Sequence, residues 1–380
     1  MSTLQEPSKQ QLTMSEHERY MARALSLAER GLFTTCPNPR VGCVIVNNGE
    51  IVGEGWHQRA GEAHAEVNAL SIAGKQAKGA DCYVTLEPCS HFGRTPPCAD
   101  SLIKAGIKRV FVAMSDPNPV VAGTGIARLQ EAGIEVIVGL LEQQAEDINP
   151  GFCKRMRTQQ PYVRSKLAMS LDGRTAMATG ESKWITGPEA RLDVQKLRAR
   201  SSAILTGIST VLADDPALTV RPAGADWYPS NVNVRQPLRV VVDSQLRTPV
   251  NAGLFDNKGK VLIATLIENP STILPAKIIT LPTNNNQVDL SALMTNLAAH
   301  GINEVMVEAG PVLNGALLSE QLIDELVIYM APKLMGNGAN GLFHLPEIKT
   351  MAQNVDLEIT DISAVGRDWR ITAKPQYRGS

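Results

Sequence analysis

The chain has 380 residues, 43% hydrophobic and 20% charged, with 37 Lys plus Arg against 38 Asp plus Glu. One ordinary core does not organise so long a chain, so two domains are expected, and the balanced charge offers no basic field for a long nucleic acid and suits a small anionic substrate. No apolar run approaches the roughly 18 residues of a membrane span, the first 14 residues lack the apolar centre of a secretory signal, and the six cysteines form no disulfide-type framework, so a cytoplasmic protein is expected.

After a polar tail, Ser15-Glu16-His17-Glu18 has the form of a capping box, and Met21, Ala24, Leu25 and Ala28 recur at helical spacing until Gly31. Val41 to Val46 and Ile51 to Trp56 read as two strands of a hairpin turned by Asn47-Asn48-Gly49. A helix over 63–73, a strand over 82–86, a helix over 98–105, a strand over 109–113, a helix over 126–132 and a strand over 134–138 follow, and this alternation predicts a layered α/β sheet. Asp147 to Pro161 turns polar, with Pro150-Gly151 and the basic run Lys154-Arg155-Met156-Arg157; it reads as a linker with a solvated hinge, dividing domains 1–158 and 159–380. Beyond it, Tyr162 to Met169 reads as a strand, Pro188 to Arg200 as a helix opened by proline, and 203–206, 239–242 and 261–264 as short buried strands. Residues 223–236 and 283–286 read as polar loops, then 304–307 as a strand, 314–323 as a helix, and 325–331 and 370–373 as strands. No internal repeat relates the halves.

His64-Ala65-Glu66, then Pro88-Cys89 and Cys98, supply one imidazole and two sulfurs of the kind zinc takes, with an acid two residues from the first ligand. Three protein ligands leave a tetrahedral corner for water, whose pKa a bound Zn2+ lowers to about 7. Glu66 is then the residue that moves protons between water and substrate. Eight residues, Ser90 to Pro97, separate the two cysteines, whereas a closing zinc knuckle usually spaces them by about two to four. Small core cysteines and an ordinary helical histidine are the alternative; it is the weaker one, because His-x-Glu opens a helix-like run and Pro-Cys ends a strand-like run. A purely structural zinc is disfavoured because such sites are generally closed by four protein ligands. In the second half, Val307 to Ala316 is a strand that breaks at glycine and enters a helix, a geometry that cradles phosphates but serves as a plain connection at least as often.

Several motifs together resemble the bifunctional deaminase-reductases of riboflavin biosynthesis. In the first half they are Pro37-Asn38-Pro39-Arg40-Val41-Gly42, Gly55-Trp56-His57, His64-Ala65-Glu66 and the run from Glu87-Pro88-Cys89 through Ser90-His91-Phe92-Gly93-Arg94-Thr95-Pro96-Pro97 to Cys98, which makes the long insert a family feature. In the second half they are Lys166 to Gly173, Glu181 to Thr186, Leu197-Arg198-Ala199, Asp214 to Arg221 and the Glu308 to Ala316 turn. The resemblance implies an N-terminal cytidine-deaminase-like three-layer domain followed by a C-terminal dihydrofolate-reductase-like α/β domain, using one Zn2+ per chain and NADPH. It further implies successive action on one phosphoribosylated pyrimidine: hydrolytic deamination of 2,5-diamino-6-(5-phosphoribosylamino)pyrimidin-4-one, then reduction of its ribosyl group.

By the same resemblance, His64, Cys89 and Cys98 hold the metal, Glu66 is catalytic, and Asn38, His57 and His91 contact the first substrate, against a plainer reading as a turn asparagine and surface histidines. Ala168, Trp184, Thr210, Asp214, Ser244 and Gly310, Pro311, Val312, Leu313, Asn314, Gly315 and Ala316 contact NADPH, with a helix start at Asn314 placed for phosphate. Ser182, Arg198, Leu218, Arg221 and Glu308 hold the second substrate, Arg198 and Arg221 clamping its phosphate. Ala309 before Gly310 departs from the two glycines expected there, and its methyl forbids a positive φ. Lys166 receives no firm role, and neither do Cys36, Cys43, Cys82 and Cys153. The rival enzyme is a single-function zinc deaminase for nucleotides or tRNA bases with a C-terminal assembly domain; balanced charge and the lack of a basic, aromatic-interleaved strip weigh against nucleic acid. A closed homo-oligomer is the default state.

Overall fold

The structure is a computed structural model that describes residues 14–91, 96–222, 226–229, 232–256, 259–268, 270–271 and 273–377. The polar tail, residues 92–95 of the insert and parts of the 223–236 loop lie outside the described residues. The chain divides into two compact units, Met1–Arg157 and Thr158–Ser380.

The first unit comprises α1 (Met14–Glu29), β1 (Gly42–Asn47), β2 (Glu50–Trp56), α2 (Ala65–Ala73), β3 (Asp81–Val84) and α3 (Cys98–Ala105). It continues through β4 (Arg109–Val112), α4 (Thr124–Glu131), β5 (Glu135–Val138), α5 (Glu142–Ile148) and α6 (Pro150–Thr158). Helix α1 runs over Met14–Glu29, and the Ser15 side chain of the expected capping box lies outside the described residues. The five strands order as β2-β1-β3-β4-β5, antiparallel around β1 and parallel from β3 to β5. Alternation along β1 sends Cys43 and Ile45 to one face, against Ala65 and Ala69 of α2 and Leu102 of α3, and Val44 and Val46 to the other, against Met21 and Ala24 of α1. The result is three layers. Helix α2 sits low on β2 because the strand presents Gly53 and Gly55; a Cβ at Gly55 would lie 2.4 Å from both Ala65 O and Ala69 N. That bare strip sets the height of the helix turn carrying Glu66.

The stretch Asp147 to Pro161 does contain the boundary between the units, after Arg157, but it is mostly helical and partly buried rather than a solvated linker. It contains the end of α5 and all of α6, with Gly151 and Cys153 buried. Asn149, also buried, donates from Nδ2 to Arg40 O at 2.8 Å and accepts at Oδ1 from Arg40 N at 2.8 Å, stitching the segment to the loop that carries Asn38. The basic run masked an inward face made by Phe152 and Cys153, which join the α1 side of the core.

The second unit opens with β6 (Tyr162–Ser170), β7 (Arg174–Ala176), α7 (Pro188–Arg200), β8 (Ala203–Gly207), α8 (Ile208–Asp214), β9 (Leu238–Val242), β10 (Val261–Thr265) and β11 (Lys277–Thr280). It continues with β12 (Thr283–Asn284), β13 (Gln287–Val288), α9 (Leu290–Ala299), β14 (Glu304–Val307), α10 (Pro311–Ser319), β15 (Glu325–Ala331), β16 (Asn340–Gly341), β17 (Asp356–Val365) and β18 (Asp368–Gln376). Its nine-stranded sheet orders as β11-β10-β9-β8-β14-β6-β15-β18-β17, parallel from β11 to β15 and antiparallel at β18 and β17. Leu293, Met294 and Leu297 of α9 and Leu317 of α10 pack on one face with Val163, Leu167 and Val305. Ala190 and Val194 of α7 cover the other with Met306, Val327 and Tyr329.

Two corrections concern this unit. The expected helix 314–323 is Pro311–Ser319, because Pro311 occupies the first helical position after the N-cap Gly310. The expected loop 283–286 is the tip of a small hairpin, β12 paired with β13, whose Asn285 and Asn286 take φ of 49° and 61°, a left-handed conformation asparagine accepts.

Candidate active sites

In the first unit three chain segments converge. His64 is the N-cap of α2, Cys98 opens α3, and Cys89 lies in the turn after β3. His64 Nδ1 lies 3.2 Å from Cys98 Sγ and 3.6 Å from Cys89 Sγ, and the three ligand atoms all fall within 4.8 Å of one another. With Zn–N near 2.0 Å and Zn–S near 2.3 Å, a tetrahedral edge from nitrogen to sulfur is about 3.5 Å. The donor set and its spacing therefore fit zinc. The backbone N–H of Cys98, at the start of α3, donates to Cys89 Sγ at 3.3 Å, and such helix-terminal donors stabilise a thiolate. The hydrogen bond from Cys98 chiefly, with help from His64 and against burial, brings the Cys89 thiol down to about 4, while Cys98 is pushed well above its ordinary value by that same partnership and by burial. A thiol coordinated to a dication loses its proton outright.

Glu66, in the first turn of α2, is 3% exposed. Burial chiefly raises its carboxyl to about 7, against the lowering effects of a backbone hydrogen bond and of His64. It interacts electrostatically with His64 and Cys89 and by hydrogen bond with Cys98, so the acid faces the whole ligand set.

The expected substrate contacts fall into two kinds. His57 is 3% exposed: its Nδ1 donates to Ala63 O at 3.1 Å, so Nε2 accepts from Asn38 Nδ2 at 3.0 Å. Burial lowers its pKa, keeping the ring neutral. The imidazole thus orients half-buried Asn38. His91 is exposed and lines a cleft with Cys89, Ser90, Asp116, Val121 and Thr124. Asp116 drew no attention in the sequence because an Asp-Pro-Asn-Pro run reads only as a turn; burial raises its pKa.

In the second unit, four of the residues expected to hold NADPH follow the carboxyl ends of adjacent parallel strands. Ser244 follows β9, Thr210 and Asp214 lie on α8 after β8, and Gly310 follows β14. Ligands of open α/β sheets bind at that end. Gly310 has open space around an added Cβ, and Val312 is 71% exposed. Ala309 has no positive φ, so its methyl is unstrained. Asn314 and Gly315 are different. Asn314 is fully buried, accepting from Ser165 Oγ at 2.6 Å and donating to Ala309 O at 2.7 Å, and a Cβ at Gly315 would lie 2.1 Å from His344 O. Both hold the turn from within, and Asn314 is not the helix start. Leu313 and Ala316 are partly buried against the core, and Pro311 shapes the helix entrance.

Trp184 is 66% exposed, with the Arg191 guanidinium 4.7 Å from its ring and Lys333 Nζ donating to its carbonyl at 3.0 Å. Ala168 is half-buried on β6, Ser182 half-buried in the loop before α7, and Leu218 buried with φ of 48°. Of the expected second-substrate residues, Arg198 pairs directly with Glu308. Arg198 Nε and Nη2 reach its two carboxylate oxygens at 2.5 and 2.9 Å, while Nη1 donates to Thr219 O at 3.0 Å. Burial raises Glu308, and Arg198, Lys166 and Arg221 more than offset that, leaving it below the ordinary carboxylate range. Arg198 is therefore committed to a protein carboxylate. Arg221 is exposed, and its Nη1 donates to Thr219 Oγ1 at 3.2 Å. Lys166 is pushed below its ordinary value, first by burial, with Glu308 opposing.

Removing one sulfur tests the metal set: Cys98→Ala is expected to lower zinc from one per chain to near none by metal analysis, and full zinc occupancy would take Cys98 out of the ligand set.

Comparison with known proteins matches residues 14–114 to the cytidine and deoxycytidylate deaminase zinc-binding region and residues 161–371 to the RibD C-terminal domain. The chain is 56% identical to riboflavin biosynthesis protein RibD of Escherichia coli over 363 residues, covering 93% of this chain and 98% of that one. The Haemophilus influenzae RibD is 51% identical, with 94% and 97% covered. Among solved structures, Acinetobacter baumannii RibD superposes with a TM-score of 0.89 at 45% identity over 96% of this chain and 100% of that one. A Thermotoga maritima diaminohydroxyphosphoribosylaminopyrimidine deaminase/5-amino-6-(5-phosphoribosylamino)uracil reductase gives 0.85 at 31% identity, covering 96% and 99%. A single-function base deaminase with a C-terminal assembly half is not favoured, since the second half matches the reductase domain. With a deaminase unit built for Zn2+ and a reductase unit that uses NADPH, the chain belongs to the RibD family of bifunctional riboflavin-biosynthesis deaminase-reductases.

Proposed function

We propose that the first unit deaminates 2,5-diamino-6-(5-phosphoribosylamino)pyrimidin-4-one and the second reduces the resulting 5-amino-6-(5-phosphoribosylamino)uracil to 5-amino-6-(5-phosphoribitylamino)uracil. The observation that carries this is the one-imidazole, two-sulfur cluster beside buried Glu66, in a chain whose other half matches the RibD reductase. Bound zinc supplies the Lewis acidity that makes water nucleophilic near neutral pH. Glu66 carries two protons in turn, the first from the attacking water to the ring nitrogen and the second from the hydroxyl so added to the departing amino group, so water enters and ammonia leaves. His57 holds Asn38 for the ring edge, and His91 stands at the cleft.

In the second unit NADPH supplies the hydride, received at C1 of the opened ribose. Trp184, Ala168, Thr210, Asp214, Ser244 and the exposed start of α10 make its bed. Lys166, kept near Glu308 in a desolvated spot, is positioned to give the proton that balances the hydride. Arg221 binds the phosphate, and Ser182 and Leu218 line the substrate path. The protein works in the cytoplasm as a homo-oligomer; a monomeric mass by sedimentation would overturn the latter. The deciding assay incubates the purified chain with the diaminopyrimidine phosphate. Ammonia is expected with or without NADPH, and NADPH oxidation only after deamination; NADPH oxidation without prior ammonia release would overturn the order.

A further inference from the structure

We propose that Glu87 is a positioning residue of the deamination, a buried carboxylate that holds at a fixed separation the two walls of the cleft lined by the metal ligand Cys89. One wall is the turn 87–91, which contains the ligand Cys89; the other is the loop 116–124, which lines the same cleft. Glu87 is 6% exposed and joins them by four hydrogen bonds. Its Oε2 accepts from Asp116 N at 3.0 Å and Gly123 N at 2.9 Å, and its Oε1 from Gly125 N at 2.8 Å and Ile126 N at 3.2 Å.

The chemistry of a helix end explains why an acid stands there. Gly125 and Ile126 are the second and third residues of α4, whose first-turn N–H groups have no acceptor within the helix. The N-cap is Gly123, with φ of 78° and no side chain to accept them. Glu87 supplies the missing cap from a segment 36 residues earlier in the chain than Gly123, and its negative charge is favourable at a helix N-terminus. The approach is close, since a Cβ at Gly125 would lie 1.9 Å from Pro88 O. Ser90 Oγ and Thr124 Oγ1, 2.7 Å apart, add a second tie between the walls. A carboxylate offers acceptors only, whereas a glutamine would turn an NH2 toward two of these donors. The position of Asp116 and its neighbours relative to Cys89 therefore runs through Glu87, which itself needs no contact with substrate.

The test is Glu87→Gln in the full zinc-loaded chain, read by zinc content, ammonia-release kinetics and NADPH oxidation with the deaminated substrate. The expected result is zinc near one per chain, a deamination KM raised about tenfold or more with kcat reduced less than about threefold, and unchanged reduction, since displacing a cleft wall by about 1 Å is costly for binding geometry. Parent-like kinetics would overturn the proposal. So would a kcat loss at unchanged KM, which reports only a smaller folded fraction. Glu87→Asp is the second variant: it keeps the charge but withdraws the oxygens by about one bond length of ~1.5 Å, and the same KM-led change is expected. Unfolding of the first unit in both variants would assign Glu87 to stability alone and overturn the proposal as well.

Discussion

Replacing Glu66 with glutamine is expected to cut ammonia release by about a thousandfold or more while leaving NADPH oxidation on the deaminated substrate unchanged. The size follows from the geometry. Glu66 is the acid on the ligand-bearing turn of α2 and faces His64, Cys89 and Cys98, so an amide at that position keeps the shape and removes the proton carrier. Its carboxyl, buried beside the ligand set, is placed to take and return a proton. If both activities vanished in a folded variant, the assignment of one reaction to each unit would be wrong.

The same group makes a linkage prediction for the metal-stripped protein. Unfolded, the carboxyl titrates near 4.5; folded, near 7. Between those values the native state holds a proton the unfolded state has lost, so stability falls as pH rises, by about 3 kcal/mol for a shift of this size. Glu66→Gln is expected to abolish that fall in chelated protein. A dication beside the carboxylate favours its charged form, so the zinc-loaded parent should show a shallower slope. Identical pH–stability curves for the chelated parent and variant would show that Glu66 is ionised in both states.

Some elements were legible because one local signal settled them. Pro188 to Arg200, Glu304 to Val307 and Glu325 to Ala331 were read with the bounds observed, through a proline at the first helical position or a short β-branched run. Helix α6 was not legible, since its buried side is only Gly151, Cys153 and part of Phe152, too little apolar signal against a basic run. Strand β17 was missed because most of its residues are exposed, so no inward alternation marks it; pairing with β18 makes the strand. The metal cluster was legible from residue chemistry. The fate of Arg198 was not, because a guanidinium fork suits a phosphate and a carboxylate alike. Only folding shows that Glu308, 110 residues away, occupies it. Glu87 stood inside a recognised motif, but its four donors lie across the cleft in a loop without pattern.

Arg198→Ala is accordingly expected to act first on stability, lowering that of the second unit by about 3–5 kcal/mol, the usual cost of breaking a buried ion pair. The side chains of Arg198 and Glu308 are 11% and 13% exposed, and truncation leaves a desolvated carboxylate with only Lys166 and Arg221 to offset it. Reduction should fall with the unit's folding while zinc-dependent ammonia release persists. Adding Glu308→Gln to Arg198→Ala removes the stranded charge, so the double variant should regain part of the stability without regaining activity. The parent pair has a definite pH signature: Glu308 titrates below its ordinary 4.5, so its contribution is present above that value and is lost as pH falls through the folded pKa. Arg198→Ala should lose that acid-side slope. Arg221→Ala makes the contrast: with its guanidinium exposed beside Thr219, it should raise the reductase KM for the phosphorylated substrate at little cost in stability. If Arg198→Ala instead left stability intact and raised only that KM, the Glu308 pair would be a resting contact that phosphate displaces, and Arg198 would return to the role of anion clamp.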